Sequence, residues 1–340
     1  MGIQKKELVV TELQGDGIAP ELEKTIAMVA DALPLRIKFE KVDWSIGSRE
    51  ESGRLAIEEG LKSIEKNRLA IKYPTETRNE SPNAILRRHC KFSVIYRPVF
   101  SIPGITSNFN KPINLHIVRV ATGGTYEDPG KLIGNEAAVS LRLVEREPCT
   151  HAATFAFELA RRNGWCLTSA SKHTIQRVTD GLFESVVVDV HKQYTDVSHR
   201  KELFDALLGQ LVMTPEKYQV VLVLNEYGDF LSDLASGMAG SIGTGASGTY
   251  AFDQNHQVSM AMFDPAGGTA PDIAGKDLCN PSAILLAFSM LLEHVAEFEL
   301  SNSLRRSVLS SIKEGNCTRD LGGNLGCQDF TKLIVEKMKI

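Results

Sequence analysis

Asp229 and Asp233 stand four residues apart, directly after the apolar run Val220 to Leu224. The run predicts a buried strand, and Tyr227 to Met238 predicts the start of a helix behind it. The i,i+4 spacing puts both carboxylates on one helical face. Like charges so placed repel unless something positive lies between them, and a hard divalent cation bound through oxygen answers that need. A solvated acidic helix start, with Asp229 favoured by the helix dipole, is the plainer alternative. The two acids alone do not choose between these.

The elements that must position them alternate in type. Leu8 to Thr11 predicts a strand, and the turn Gly15-Asp-Gly17 opens a helix at Pro20 that runs to about Ala32. A strand at Leu35 to Val42, a helix at about Ile57 to Lys66 and a strand at Arg68 to Lys72 follow. Pro82 to Arg88 reads as helix, and Phe92 to Val99 and Leu115 to Val120 as strands. Thr150 to Asn163 is an amphipathic helix closed by Gly164. Trp165 to Ser169 predicts a strand and Asp180 to Gln193 a helix. Such alternation implies an α/β fold whose sheet is parallel in character. Composition marks no domain boundary, repeat or linker.

A chain of 340 residues can bury a large core and form two lobes. Its 43% apolar and 24% charged residues are those of an ordinary soluble protein, and a net charge of -4 gives no reason to expect nucleic-acid or membrane partners. The six cysteines form no C-x-x-C pair, which argues against structural zinc and suggests a reducing compartment. The first residues lack the apolar stretch of a secretory signal, and Ser282 to Leu292, the most apolar segment, is too short to span a bilayer. It reads as a core helix starting from Pro281. The expectation is a cytoplasmic protein.

Three glycine patterns resemble nucleotide motifs without meeting their requirements. Gly243, Gly245 and Gly248 match G-x-G-x-x-G but follow a predicted helix instead of a strand, so they read as a small-residue loop. Gly15-Asp-Gly17 follows a strand but lacks a third glycine. Gly268 to Lys276 has too many intervening residues for a P-loop and continues into Asp277. No histidine pair has metal-ligand spacing.

Taken in order, other motifs form a recognisable series: Gly15-Asp-Gly-Ile-Ala-Pro-Glu21, Lys72-Tyr-Pro-Thr-Glu-Thr77, Ser81-Pro-Asn83-Ala-Ile-Leu-Arg87 and Arg97-Pro98. Arg119 with Tyr126, Lys172, Asp205 and Gly228-Asp229-Phe-Leu-Ser-Asp233 come next. Gly268-Thr-Ala-Pro-Asp-Ile-Ala-Gly-Lys276 with Asn280-Pro281 closes the series. From about Val9 to Ile340 this resembles the β-decarboxylating dehydrogenases, the isocitrate and 3-isopropylmalate dehydrogenase family, and is closest in pattern to the NAD-type isocitrate enzymes.

The resemblance implies a two-lobed α/β fold with a cofactor site that is not a Rossmann fold. Residues 1–95 with 246–340 would form the large lobe, and 96–245 a small lobe carrying the contacts of a homodimer. It implies oxidation of a 2-hydroxy acid with hydride transfer to NAD, then loss of carbon dioxide, with magnesium or manganese as Lewis acid. Asp229, Asp233 and Asp205 would be the metal ligands, Asp205 coming from the partner subunit. Lys172, also crossing the interface, would be the base, and Tyr126 the acid that protonates the enol. Arg87, Arg97 and Arg119 would hold the substrate carboxylates, since a guanidinium binds carboxylate bidentately. Ser81 and Asn83 match the pair that isocitrate-specific members aim at a third carboxylate. Thr75, Thr77, Gly268, Thr269, Ala270, Asp272, Ile273 and Asn280 would contact the cofactor. Asp272 and Ile273 fit the NAD pattern better than the NADP one, because an acid there repels a 2′-phosphate.

The chain departs from the family's pattern at four places, one of them a short stretch between Thr77 and Ser81. Gly267 stands where a histidine usually packs on adenine. Arg119-Val-Ala-Thr-Gly123 replaces Arg-Glu-Asn-Thr-Glu, and Lys172-His-Thr174 replaces Lys-x-Asn. These positions bear on substrate and cofactor and leave the metal and proton-transfer residues in place. Isocitrate is the leading substrate. The alternatives are another malate derivative, such as homoisocitrate, 3-isopropylmalate or a specialised-pathway analogue, or a non-catalytic regulatory isocitrate dehydrogenase subunit.

Overall fold

The computed structural model describes residues 7–78, 80–107, 109, 111–240 and 244–338. In chain order the strands are β1 (Glu7–Gln14), β2 (Arg36–Asp43), β3 (Leu69–Lys72), β4 (Phe92–Phe100), β5 (Asn114–Val120) and β6 (Lys131–Ile133). They continue as β7 (Ala137–Val139), β8 (Leu167–Ser171), β9 (His199–Leu203), β10 (Val220–Val223), β11 (Ala246–Phe252) and β12 (Val258–Pro265). The helices are α1 (Ala19–Ala32), α2 (Ile46–Glu51), α3 (Arg54–Asn67), α4 (Pro82–His89), α5 (Arg146–Asn163) and α6 (Thr179–His191). They end with α7 (Phe204–Met213), α8 (Asn225–Ala239), α9 (Ser282–His294), α10 (Phe298–Lys313) and α11 (Cys327–Lys337).

One sheet of ten strands organises the molecule, in the order β2-β1-β3-β12-β11-β4-β5-β10-β8-β9. Its two ends are parallel blocks, β2-β1-β3-β12 and β5-β10-β8-β9. Between them β12/β11, β11/β4 and β4/β5 pair antiparallel. β10 reads Val-Val-Leu-Val and is buried throughout, because α5 packs on one face of its block and α8 on the other. The main core gathers α1, α5 and α9 around the sheet, a second joins α7 and α8 to β5 and β10, and a third surrounds Trp44.

Most expected elements are present with slightly longer ends. α1 carries Pro20 in its first turn, and α5 stops at Gly164, whose φ of +67° favours a residue without a side chain. One expectation is corrected. The small-residue loop read at Gly243 to Gly248 becomes β11 from Ala246, and Gly243 lies outside the described residues. Gly248 is small because Tyr250 lies over it: a Cβ there would sit 2.5 Å from the Tyr250 hydroxyl. The expected lobe boundaries fall inside β4 and at the start of β11, the two strands that join the parallel blocks.

Candidate active site

Sheet register brings the acid-binding residues together. β5 and β10 pair with Val223 beside Arg119, and the chain after Val223 turns into α8. That turn stacks Asn225 and Asp229 over the Arg119 side chain. In the β4/β5 ladder Arg97 faces Ile117 and Ile95 faces Arg119, so the two arginines are diagonal neighbours on one face. Arg119 is 2% exposed. Its Nε and Nη2 donate to Asn225 Oδ1 at 3.0 and 2.8 Å, and its Nη1 donates to Asp229 Oδ1. Arg97 Nη1 lies 3.6 Å from the same carboxylate oxygen and donates to Ser232 Oγ at 2.6 Å. The Tyr126 hydroxyl donates to Asp229 Oδ2 at 3.2 Å. Gly228 makes this possible, since a Cβ would lie 2.6–2.8 Å from three Arg119 carbons.

The cations outnumber the acids here. Burial and then the charge of Arg87 push Arg119 down to about 9, and Arg87 is lowered in turn by burial and by Arg97. Burial raises the Asp229 carboxyl, but Arg119 and Arg97, with hydrogen bonds from Arg119 and Tyr126, more than reverse it and leave it below its ordinary value. Burial and Asp229 raise the Tyr126 phenol, which therefore keeps its proton. Polar atoms also stand ready without partners: Arg97 Nε and Asn83 Oδ1 are buried and unpaired, and Ser81 does not cap α4. A cluster of guanidiniums with one carboxylate among them, flanked by idle amide and hydroxyl groups, suits a polycarboxylic acid.

Lys172 and Asp205 form a pair of their own. β8 and β9 end together, with Ser171 beside Leu203, so the next residues of each meet and Lys172 Nζ lies 2.7 Å from Asp205 Oδ1. No hydrogen bond or ion pair joins either to Asp229 or Asp233 among the described residues. Asp233, one turn beyond Asp229, is exposed. No group of three or more His, Cys, Asp or Glu able to hold a metal forms among the described residues of this single chain. Asp229 and Asp233 are a pair of acids one helical turn apart, Asp233 the more exposed.

The segments expected at the cofactor converge on the β1–α1 turn. Asp16 N donates to Pro74 O at 2.8 Å and Ile18 N to Thr269 O at 2.9 Å. The Asp16 carboxylate accepts from Ile46 N at 2.8 Å and Glu76 N at 2.7 Å, and Glu21 accepts from Gly275 N at 2.9 Å and Asp277 N at 2.7 Å. Gly15 and Gly17 are required by these approaches: a Cβ would lie 2.1 Å from Pro74 O or 1.9 Å from Thr269 O. Thr75 and Thr77 are thus tied beside Gly268, Thr269, Ala270, Asp272 and Ile273. Asp272 is exposed. The Asn280 amide is committed within the protein, donating to Asp320 Oδ2 at 2.9 Å and accepting from Ser282 N at 2.9 Å.

Sequence reasoning missed a buried network behind the site. Arg142 pairs with Glu226 at 2.6 Å and Asp180 at 3.1 Å, and Asp180 accepts from Lys172 N at 2.7 Å and the Tyr227 hydroxyl at 3.1 Å. Glu226 directly precedes the Tyr-Gly-Asp segment, but only the fold reveals its partners. Asn225 was also missed, although it opens α8.

Known proteins share this arrangement of elements. A family model described as isocitrate/isopropylmalate dehydrogenase matches residues 9–334, so the chain belongs to that family. The mitochondrial NAD isocitrate dehydrogenase alpha chain of Bos taurus is 32% identical over 336 residues, covering 97% of this chain and 90% of that protein. A mitochondrial NAD isocitrate dehydrogenase regulatory subunit of Dictyostelium discoideum is 33% identical over 337 residues, covering 97% and 91%. The crystal structure of isocitrate dehydrogenase from Methylococcus capsulatus matches with a TM-score of 0.89 at 30% identity, covering 98% of this chain and 100% of that one. Among the described residues no helix is long and apolar enough to cross a membrane.

Proposed function

We propose that this chain is a metal-dependent dehydrogenase that oxidises isocitrate and decarboxylates it to 2-oxoglutarate with NAD. The observation that carries the reading is the set of Arg87, Arg97 and Arg119 around Asp229, with the protonated Tyr126 bonded to the same carboxylate. The arginines bind the carboxylates, and Ser81 and Asn83 reach the third one. Magnesium or manganese would be held by Asp229, Asp233 and the partner's Asp205 and would supply charge stabilisation to the hydroxyl oxygen. NAD would be held by Thr75, Thr77, Gly268, Thr269, Ala270, Asp272 and Ile273, with Asn280 beside them, and would supply the hydride acceptor. The partner's Lys172 takes the hydroxyl proton, and Tyr126 delivers a proton to the enol carbon left when carbon dioxide departs. The Lys172–Asp205 pair, with no bond to Asp229 within one chain, fits a homodimer in which each chain completes the other's site.

The exposed Leu132, Ile133 and Leu141 in and beside the β6–β7 hairpin support such a dimer. The lobes 1–95 with 246–340 and 96–245 would close over the acid. The test is reduction of NAD and NADP by the purified protein with manganese and a panel of 2-hydroxy acids. Isocitrate with NAD is expected to give the highest kcat/KM; a higher value for homoisocitrate or 3-isopropylmalate would reassign the substrate within the class. A regulatory role is the second reading, favoured by the likeness to a protein named as a regulatory subunit. It would be adopted if no acid were turned over by the chain alone and activity appeared on adding a paralogous chain.

A further inference from the structure

A cavity of about 410 Å³ adjoins the arginine cluster. Arg87 and Tyr126 form the wall it shares with the proposed acid site, and Ala121 and Thr122 form another. Its size lies within the range of small-molecule pockets and far exceeds the space of one bridging water. Ala121 belongs to the segment in which the family's acids and amide are replaced by Val120, Ala121 and Gly123, so the departure from pattern and the free space coincide.

Phe92, Leu143, Pro148 and Phe252 give the cavity an apolar share of its lining. It also holds polar atoms with nothing to bind. His151 is 6% exposed; its Nδ1 meets Ser93 Oγ at 3.0 Å, and its ring stacks on Phe252 at 4.8 Å. Its Nε2 is buried without a partner among the described residues, as is Thr122 Oγ1. Burial and the neighbouring His256 lower the His151 imidazole, so it is neutral at pH 7. The charged residues that line it balance, Arg87, Arg88 and Lys91 against Glu127, Glu145 and Glu147. A neutral ligand group keeps that balance, and two buried atoms call for hydrogen bonds.

We propose that this chamber receives the far end of a long C3 substituent on a malate-type 2-hydroxy acid, beyond the reach of isocitrate's short carboxymethyl arm: an apolar chain ending in a neutral hydrogen-bonding group that meets His151 and Thr122. The inference rests on the dehydrogenase reading for the position of the acid and deepens it by naming a substrate class beyond isocitrate. It makes His151 a specificity-determining residue that takes no part in the chemistry.

The test compares isocitrate with 3-substituted malates bearing a four-carbon chain ended by carboxamide or, as the isostere, by a branched methyl terminus. Binding is measured by titration calorimetry with manganese, and kcat/KM with NAD. The carboxamide acid is expected to bind more tightly than its isostere by about tenfold or more, the fold-change that follows when two buried polar atoms gain or lack a partner. His151→Phe should erase the preference for carboxamide over its isostere, and His151→Gln should retain part of it. Thr122→Val, at a less buried position, should weaken the same preference if the His151 variants fold poorly. Equal binding of carboxamide and isostere by the native protein, or a preference untouched by these substitutions, would overturn the proposal. Turnover without the preference would sink this inference alone, whereas the binding preference without turnover would sink the dehydrogenase reading alone.

Discussion

Arg119 is held by two residues of one helical turn, Asn225 and Asp229, and its chain lies against the bare backbone of Gly228. Gly228→Ala would force the guanidinium out of that groove. Overpacking of this kind costs about 1–3 kcal/mol, and here it also displaces a group aimed at the acid. The expected outcome is a drop in melting temperature of a few degrees with a much larger loss in kcat/KM, read by thermal unfolding beside steady-state kinetics. Asp229→Asn keeps the shape and removes the charge. Metal-dependent turnover should vanish, while stability falls by about 1–2 kcal/mol, a range discounted because Asp229 is partly exposed. Full activity in that variant would remove Asp229 from the site.

At the scale of elements, the turn from β10 into α8 was legible because an apolar run followed by i,i+4 acids carries both the strand and the helix signal. α5 was legible for the same reason, with Gly164 at its end. β11 was not, because Gly248 near its start is a glycine for a packing reason, the Tyr250 ring on the same strand. The Gly15 and Gly17 requirement was invisible as well: it comes from Pro74 and Thr269, carbonyls far along the chain. Gly15→Ala should therefore raise the KM for NAD more than that for the acid, a split that steady-state kinetics can read. On β5, His116 accepts or donates a 2.7 Å bond with the Tyr96 hydroxyl, packs 4.2 Å from Trp165 and is lowered by burial to about 4. An unfolded histidine titrates near 6.5, so the stability due to this neutral imidazole is full above that value and is lost as pH falls toward 4. His116→Phe should shrink the difference in unfolding free energy between about pH 7 and pH 5 by about 2 kcal/mol, measured by urea titration at both.

For the whole molecule, the decisive fact is that no bond within one chain joins Lys172 or Asp205 to Asp229 among the described residues. If each site draws on two chains, Lys172→Ala and Asp229→Asn proteins are each inactive alone. Mixed and allowed to exchange protomers, they should recover activity, because one site of each hybrid then holds an intact lysine and an intact aspartate. Absence of recovery in a mixture proven to contain hybrids would place each site within a single chain. The pairing of Lys172 with Asp205 followed from sheet register, which the sequence does not display. The family was readable from the order of the motifs along the chain.

The β6–β7 hairpin has only two short strands, both exposed, with Leu132 at 77% and Ile133 at 60%. An isolated ribbon of that kind is barely stable in water. Its order would then be borrowed from a second molecule, and catalysis would inherit a dependence on concentration. Rate per milligram should stay constant in a working stock and bend downward on extreme dilution, recovering when inert chain lacking Lys172 is added back.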